Sequence, residues 1–384
     1  MRKTRSGPAP LPKVRPHLAL TEVARETFGV ESVGAVAGRP HLAEFADSAG
    51  HWLLRLLPGD DPVDHVRARQ AVLANEAIRA TGIGPIPHPR HPLIESDRFL
   101  IEALSYLPGR SWAMNGRLMR DGHSLHRQLP PDPGAMRPLT EAVARLHVAS
   151  DGVNTGDLLT LTIRDYHRRQ RSRWQAVRDH LLDSGAREVH IGRWSSASQR
   201  VIFAAFDVFE EAGYLDVAPT TIVHGDLWPA HVVADGSTIH LVDWTQMAVA
   251  HPSIDIAQLV ARFQGWGSAA LEEVIESYLA VGRLTADDRR LLPVFGALDL
   301  AVETGAVLIE AYASDVDETS HYAELARSGA GQMLASLESI GWSIRQTNID
   351  SKELRRQAKE NARAARSPGQ KPRPKRLTSR RPKQ

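Results

Sequence analysis

The spacing of apolar residues changes character along the chain. From Thr27 onward, FGVESVGAVAG and HLAEFADSAGHWLLRLL read as strands, and the second stretch doubles back at Ser48-Ala49-Gly50 as a hairpin. Val66 to Thr81 switches to helical spacing and stops at Gly82, after which Pro85, Pro87 and Pro89 impose an extended segment. RFLIEAL, from Arg98 to Leu104, reads as one more buried strand, closed by Pro108-Gly109. Beyond that point the 3.6-residue period takes over. LTEAVARLHVA, IRDYHRRQRSRWQAVRDHLL, VIFAAFDVFEEAG, Leu271 to Leu279 and Leu291 to Tyr312 all carry the spacing of amphipathic helices. Residues 222–244, IVHGDLWPAHVVADGSTIHLVDW, interrupt the helices with short alternating strands around an Asp235-Gly236 turn. The pattern predicts an α+β molecule of two lobes: a small antiparallel sheet over residues 18–108 and a mostly helical lobe over 109–345.

The 384 residues are enough to bury an ample core. Cysteine is absent, which excludes disulfides, thiolate zinc sites and cysteine nucleophiles. No apolar run approaches the roughly 20 residues that cross a bilayer, and no hydrophobic core follows the basic start MRKTRSGPAPLPKVRP, so a cytoplasmic protein with no membrane partner is expected. Residues 1–17 and 346–384 are predicted to be disordered, the first Pro-rich, the second rich in Lys, Arg, Pro and Ser. The net charge of +2 conceals an asymmetry, because Lys352 to Gln384 hold 13 basic against 2 acidic residues and leave the rest of the chain at −9. An acidic body suits a cationic small molecule better than nucleic acid, and is equally an ordinary solubilising surface. The tail has two readings: a solubilising extension, or weak, salt-sensitive contact with nucleic acid.

The chemistry gathers at the interruption. Phosphoryl transfer needs a held nucleotide, metal ions across its terminal phosphates, and a carboxylate to orient the attacking hydroxyl. Asp226, before the first strand of the hairpin, is the candidate base, while His231 and Asp243, on its two arms, are candidate metal ligands. HGD, a histidine five residues on, a D-G turn, LVDW and then PSIDIA with Asp255 form a far more specific constellation than a lone HxD triplet.

HGDLWPAHVVADGSTIHLVDW followed by HPSIDIA resembles the catalytic region of the aminoglycoside phosphotransferase and choline kinase superfamily, whose fold is protein-kinase-like. The likeness extends to HWLLRL, to the helix bearing Glu76, to RFLIEALSYLPG and to LTEAVARLH, and so spans roughly residues 27–330. Most members place asparagine five residues beyond the catalytic Asp and lysine on the third strand. This chain has His231 and Arg55 there, a pair that is similar to the macrolide phosphotransferase branch. The resemblance implies a catalytic Asp226, Mg²⁺ held by His231 and Asp243, GTP or ATP as donor, and the amino-sugar hydroxyl of a macrolide as acceptor. Trp228 and Ala230 depart from that branch, which tends to have histidine and glycine at these places.

Each candidate has a plainer reading. His224 is expected to pack inward and hydrogen-bond backbone, and Asp255 to anchor the catalytic loop through backbone N–H groups. Alternation puts Trp52 and Leu54 on one strand face and Leu53 and Arg55 on the other, which aims Arg55 at the interlobe cleft and the nucleotide phosphates. Glu76 either pairs with Arg55 in the nucleotide site or is a surface glutamate. The glycines of Val33 to Gly38 lack the spacing of a phosphate-covering loop, and His147 is expected to be a core histidine. Two rival functions remain: phosphorylation of an aminoglycoside or metabolite alcohol, and a catalytically silent kinase-like binding protein.

Overall fold

A computed structural model describes residues 16–31, 33–35, 41–58, 94–95, 99–107, 110–111, 119–120, 123–124, 133–150, 158–184, 189–219, 221–235, 238–264, 266–312, 327, 329–341 and 344. The N-terminal lobe is built on a five-stranded antiparallel sheet in the order β1-β2-β3-β5-β4. Its strands are β1 (Gly34–Ala35), β2 (Leu42–Asp47), β3 (Gly50–Pro58), β4 (Ile94–Glu95) and β5 (Phe99–Ser105). Asp47 pairs with Gly50 across a two-residue turn, so the hairpin falls where the sequence places it. Helix α1 (Pro16–Phe28) covers one sheet face, with Leu20 and Ala24 packed on Phe45, Leu54 and Ile101. This helix and the strand expected from Phe28 onward compete for the same residues, and the helix wins. Gly29, at φ +67°, closes it through an N–H bond to the Arg25 carbonyl, leaving only two residues of β1. The Val66–Thr81 helix, the proline segment with its Glu76-bearing approach, both termini and most of the glycine stretch lie outside the described residues.

The C-terminal lobe follows the helical period closely. Its helices are α2 (Pro133–Ala149), α3 (Ile163–Asp183), α4 (Val189–Ala212), α5 (Ser253–Gln258), α6 (Ser268–Leu279) and α7 (Ala286–Tyr312). Helix α7 packs against α3, α4 and α5, and buries Phe295, Leu298 and Val302. Ala286–Ile309 is long and apolar enough to cross a membrane by composition alone, but 78% of its most apolar window is buried, as for a central core helix. Trp174 and Trp194 join the same core; Trp266 packs at its edge.

Two small sheets position the chemistry. Strands β10 (Val232–Asp235) and β11 (Thr238–Leu241) form the expected hairpin, joined on its free edge by β6 (Arg110–Ser111), which follows the N-terminal sheet in sequence. Strands β9 (Thr221–Val223) and β12 (Ala248–Ala250) pair antiparallel and bracket the hairpin in sequence. A further pair, β7 (Met119–Arg120) and β8 (His123–Ser124), lies apart from it.

Candidate active site

The loop after β9 carries His224, Gly225 and Asp226, and its shape is imposed from α5. Asp255 is wholly buried and accepts the N–H groups of His224 at 2.7 Å and Gly225 at 2.8 Å. Its carboxyl is held below the ordinary carboxylate range: burial would raise it, but His147 and the backbone N–H groups outweigh burial. His147 donates to Asp255 at 3.1 Å and accepts from the Tyr278 hydroxyl at 2.9 Å, a core histidine with both ring nitrogens satisfied. One turn on from Asp255, Gln258 accepts the Leu227 N–H at 2.9 Å and donates to the Gly225 carbonyl at 3.1 Å. Gly225 sits at φ +78°, and a Cβ there would lie 2.5 Å from the Gln246 carbonyl oxygen, so only glycine fits. His224 is buried; its Nε2 donates to the Val242 carbonyl at 3.0 Å and its Nδ1 accepts the Asp226 N–H at 3.3 Å. That arrangement needs the neutral ring, and burial lowers its pKa accordingly.

Asp226 is only part-buried, and one of its oxygens is taken. Arg262 donates to Oδ1 at 2.7 Å from a six-residue π-helical turn, Leu259–Gln264, that continues α5. The arginine is itself enclosed, bonded to Asp299 at 2.5 and 2.7 Å and to Glu303 at 3.3 Å, with its guanidinium 4.4 Å from the Trp228 ring centroid. Trp228, a departure from the branch pattern, is therefore a buried face beneath this guanidinium. Burial would raise the Asp226 carboxyl, yet Arg262 and His231 keep it below its ordinary range and ionised. Glu303 is pushed the other way, upward, by burial.

On the hairpin, His231 Nδ1 donates to the Asp226 carbonyl at 2.7 Å, and Nε2 faces Asp243 Oδ2 at 3.5 Å. With Nδ1 directed at the Asp226 carbonyl, Nε2 is the ring atom that faces the Asp243 carboxylate. Asp243 is the one non-glycine residue with positive φ among those described, at φ +65° and ψ +67°, a conformation costing about 1–3 kcal/mol. Its Oδ1 accepts from Arg55 at 2.7 Å and from Thr245 at 2.9 Å. Burial would raise this carboxyl too, but Arg55 and His231 drive it far below the ordinary range. Arg55 is buried and also bonds Glu102 at 2.7 Å, its partner in register across β3 and β5. The strand faces divide as alternation predicts. Instead of standing free for phosphates, the guanidinium ties the two lobes together. Its acidic partner is Glu102, while Glu76 lies outside the described residues.

No group of three or more His, Asp or Glu side chains converges as a self-sufficient metal cage among the described residues. Two donors, His231 Nε2 and Asp243 Oδ2, do converge. Mg²⁺ sites of this open kind draw their remaining oxygens from waters and substrate phosphates, so the pair fits a shared ion in character, although a nitrogen is a softer donor than Mg²⁺ prefers.

Asp226 opens into a cavity of about 310 Å³. Leu161, Val223, Ala248, Ala250 and Ile254 supply apolar lining, and α3 contributes Tyr166, Arg169, Gln170 and Arg173 from a single face. Among the described residues, Asp226 is the only carboxylate in the cavity's lining, beside the two arginines Arg169 and Arg173.

A family model described as a phosphotransferase enzyme family matches residues 44–293, from the first sheet through the π-helical turn into α7. The chain belongs to this phosphotransferase family. No curated protein matches it. Among solved structures, the GDP and kanamycin complex of APH(2")-IIia aligns at TM-score 0.55 with 13% identity, covering 83% of this chain and 99% of that one. The amicoumacin kinase hAmiN, in complex with AMP-PNP, Ca2+ and Ami, aligns at TM-score 0.55 with 12% identity over 84% and 92%. The macrolide 2'-phosphotransferase MphH from Brachybacterium faecium covers 83% and 98% at 19% identity, but its TM-score of 0.44 is too low to bear on the acceptor. The likenesses to APH(2")-IIia and hAmiN show a kinase-like bilobal fold.

Within this phosphotransferase fold, His224, Asp226, His231, Asp243 and Asp255 come together as one cluster with Arg55 at its edge. Sequence reasoning missed Glu102, Gln258, Arg262, Arg169 and Arg173. A signal for one of them was present: in PSIDIAQLVAR, Gln258 lies one helical turn beyond Asp255 on an otherwise apolar run.

Proposed function

We propose that this protein is a nucleotide-dependent O-phosphotransferase acting on the hydroxyl of a small molecule. One observation carries the reading: the backbone-clamped loop sets an ionised Asp226 at the wall of a cavity, with His231 and Asp243 beside it. In this reading the Asp226 oxygen not held by Arg262 receives the acceptor hydroxyl. The acceptor oxygen bonds to the terminal phosphorus of GTP or ATP, the bond from that phosphorus to the bridging oxygen of the nucleoside diphosphate breaks, and the proton passes to Asp226. Its depressed pKa suits orientation and late proton acceptance more than early abstraction, which is what a loose phosphoryl transition state asks. His231 and Asp243 would hold Mg²⁺, which when bound offsets the charge of the phosphate oxygens. Arg55 holds Asp243 in place. Nucleotides in the APH(2")-IIia and hAmiN structures support this assignment of donor. The motif resemblance favours a macrolide amino sugar as acceptor.

The test measures metal-dependent binding of GTP and ATP, and nucleoside diphosphate release with a panel of macrolides, aminoglycosides and simple alcohols, for the wild type and Asp226→Asn. We expect nucleotide affinity within about twofold and a kcat lower by about 10²- to 10⁴-fold in the variant. Equal nucleoside diphosphate release by Asp226→Asn removes Asp226 from the chemistry and with it the reading, and no release together with no metal-dependent nucleotide binding leaves a silent binding protein.

A further inference from the structure

Helix α3 offers the acceptor a second hold, and it is a neutral one. Tyr166 and Gln170 lie one turn apart on the face of α3 that lines the Asp226 cavity, and both are buried. The Tyr166 ring packs against Phe295 of α7 with centroids 5.9 Å apart, which fixes where the phenol oxygen sits. Gln170 reaches that oxygen at 2.9 Å. On its other side Gln170 meets Arg173 Nη1 at 3.3 Å, and Arg173 is tied in turn to Glu303 at 2.8 Å.

The direction of each bond follows from what the groups can do. A guanidinium only donates, so the Gln170 atom opposite Arg173 is the carbonyl oxygen. The amide nitrogen is then the atom that faces Tyr166, and it donates. The phenol oxygen is thereby spent as an acceptor, while its own proton is not spent. Among the described residues no acceptor receives that proton. Burial and the nearby Asp299 carboxylate push the Tyr166 hydroxyl well above the ordinary phenol range, so it stays a donor at any working pH. A buried O–H whose acceptor side the protein fills and whose donor side it leaves open has a defined complement, an oxygen lone pair brought in by a ligand. Asp226 lines the same cavity. The two groups call for different atoms: the carboxylate takes the proton of one hydroxyl, and the phenol gives its proton to an oxygen that does not react. A monohydric alcohol satisfies the first and leaves the second without a partner.

We propose that Tyr166 is a specificity-determining residue whose hydroxyl donates to a second oxygen of the acceptor, a hydroxyl or an ether, while another hydroxyl of the same molecule meets Asp226. The acceptor is accordingly a polyoxygenated compound of the sugar or cyclitol kind. The fate of the hydroxyl at Asp226 rests on the phosphotransferase reading, but the bond to Tyr166 does not depend on turnover.

Two classes of probe are compared: glucose, kanamycin and erythromycin, which carry many oxygens, and 1-propanol and cyclohexylmethanol, which carry one. Calorimetry measures their binding to the full-length protein, and nucleoside diphosphate release with GTP and ATP is followed in parallel. The expected result is that at least one polyoxygenated probe binds, and that Tyr166→Phe raises its Kd and KM by about tenfold while kcat stays within about threefold. Neither monohydric alcohol should respond to the substitution, and metal-dependent nucleotide binding should stay within about twofold of the wild type. In protein labelled with carbon-13 at tyrosine Cζ, the Tyr166 resonance should shift with the polyoxygenated probe and hold its position with the alcohols. Thermal unfolding shows whether each variant folds. If Tyr166→Phe does not, Gln170→Met, which keeps the phenol but removes the amide that directs it, should weaken the same probe by about threefold, and the wild-type resonance still reports the contact.

Losses of equal size for both classes of probe overturn the proposal, as does a polyoxygenated probe bound equally by the wild type and Tyr166→Phe, or the binding of none of the three. Binding of a polyoxygenated probe that depends on Tyr166, without metal-dependent nucleotide binding, upholds the contact and removes the phosphotransferase reading. Turnover of such a probe that ignores Tyr166→Phe does the reverse.

Discussion

A methyl group at position 225 would collide with the Gln246 carbonyl at 2.5 Å, on a backbone already at φ +78°. Gly225→Ala should therefore cost at least ~1–2 kcal/mol in chemical denaturation and displace Asp226 along with the chain. Arg262 presents the opposite risk, that of removing a charge. Arg262→Met would leave Asp299 and Glu303 buried without their main partner, with an expected loss of about 3–5 kcal/mol of stability by urea titration. A double variant that also neutralises Asp299 should recover much of that loss, because the penalty comes from the stranded carboxylate. For His224 the sign follows from its neutral buried state. Its pKa is lowered in the folded protein, so its contribution to stability is complete above the ordinary histidine value of about 6.5 and is lost as pH falls below that toward the folded value. Thermal unfolding followed between pH 7.5 and 5 should show a decline that His224→Gln flattens.

At the scale of elements, α5 and its π-helical extension act as a comb whose teeth are Asp255, Gln258 and Arg262, each gripping a different atom of the loop at 224–227. Gln258→Leu should lower kcat by about tenfold with little change in nucleotide affinity, since it frees the Leu227 N–H and the Gly225 carbonyl without touching the hairpin. Steady-state kinetics beside a nucleotide titration separate those two effects. The loop, its flanking strands and Asp255 were legible in the sequence because a glycine, a D-G turn and strict strand alternation each leave a local trace. Arg262 was hidden for a physical reason: a π-helical turn shifts the register of the face that follows it, so simple periodicity does not say where that side chain points. Helix α1 was hidden differently. Its two wholly buried residues in the N-terminal core, Leu20 and Ala24, form a short stripe with Val23 and Phe28, and only the sheet beneath gives them a partner.

For the whole molecule, the decisive contact is Arg55, which bonds Glu102 within the small sheet and Asp243 in the helical lobe. Alternation along β3 placed this side chain toward the cleft, but the cross-strand register that selects Glu102 is a property of two strands separated by a long connection and cannot be read from either alone. Arg55→Met should speed amide hydrogen exchange in β3 and β5 and, in the same variant, around Asp243, whereas a surface change such as Arg193→Met should affect neither. Exchange measured by mass spectrometry checks the coupling. Strand β6 gives the same two regions a second mechanical link, because the short segment that leaves the small sheet docks, at Arg110 and Ser111, against Ala234 and Val233 of the hairpin. Any displacement of the small sheet relative to the hairpin would therefore be felt at the strand that has His231 at its root through peptide backbone alone, with no side chain needed to relay it.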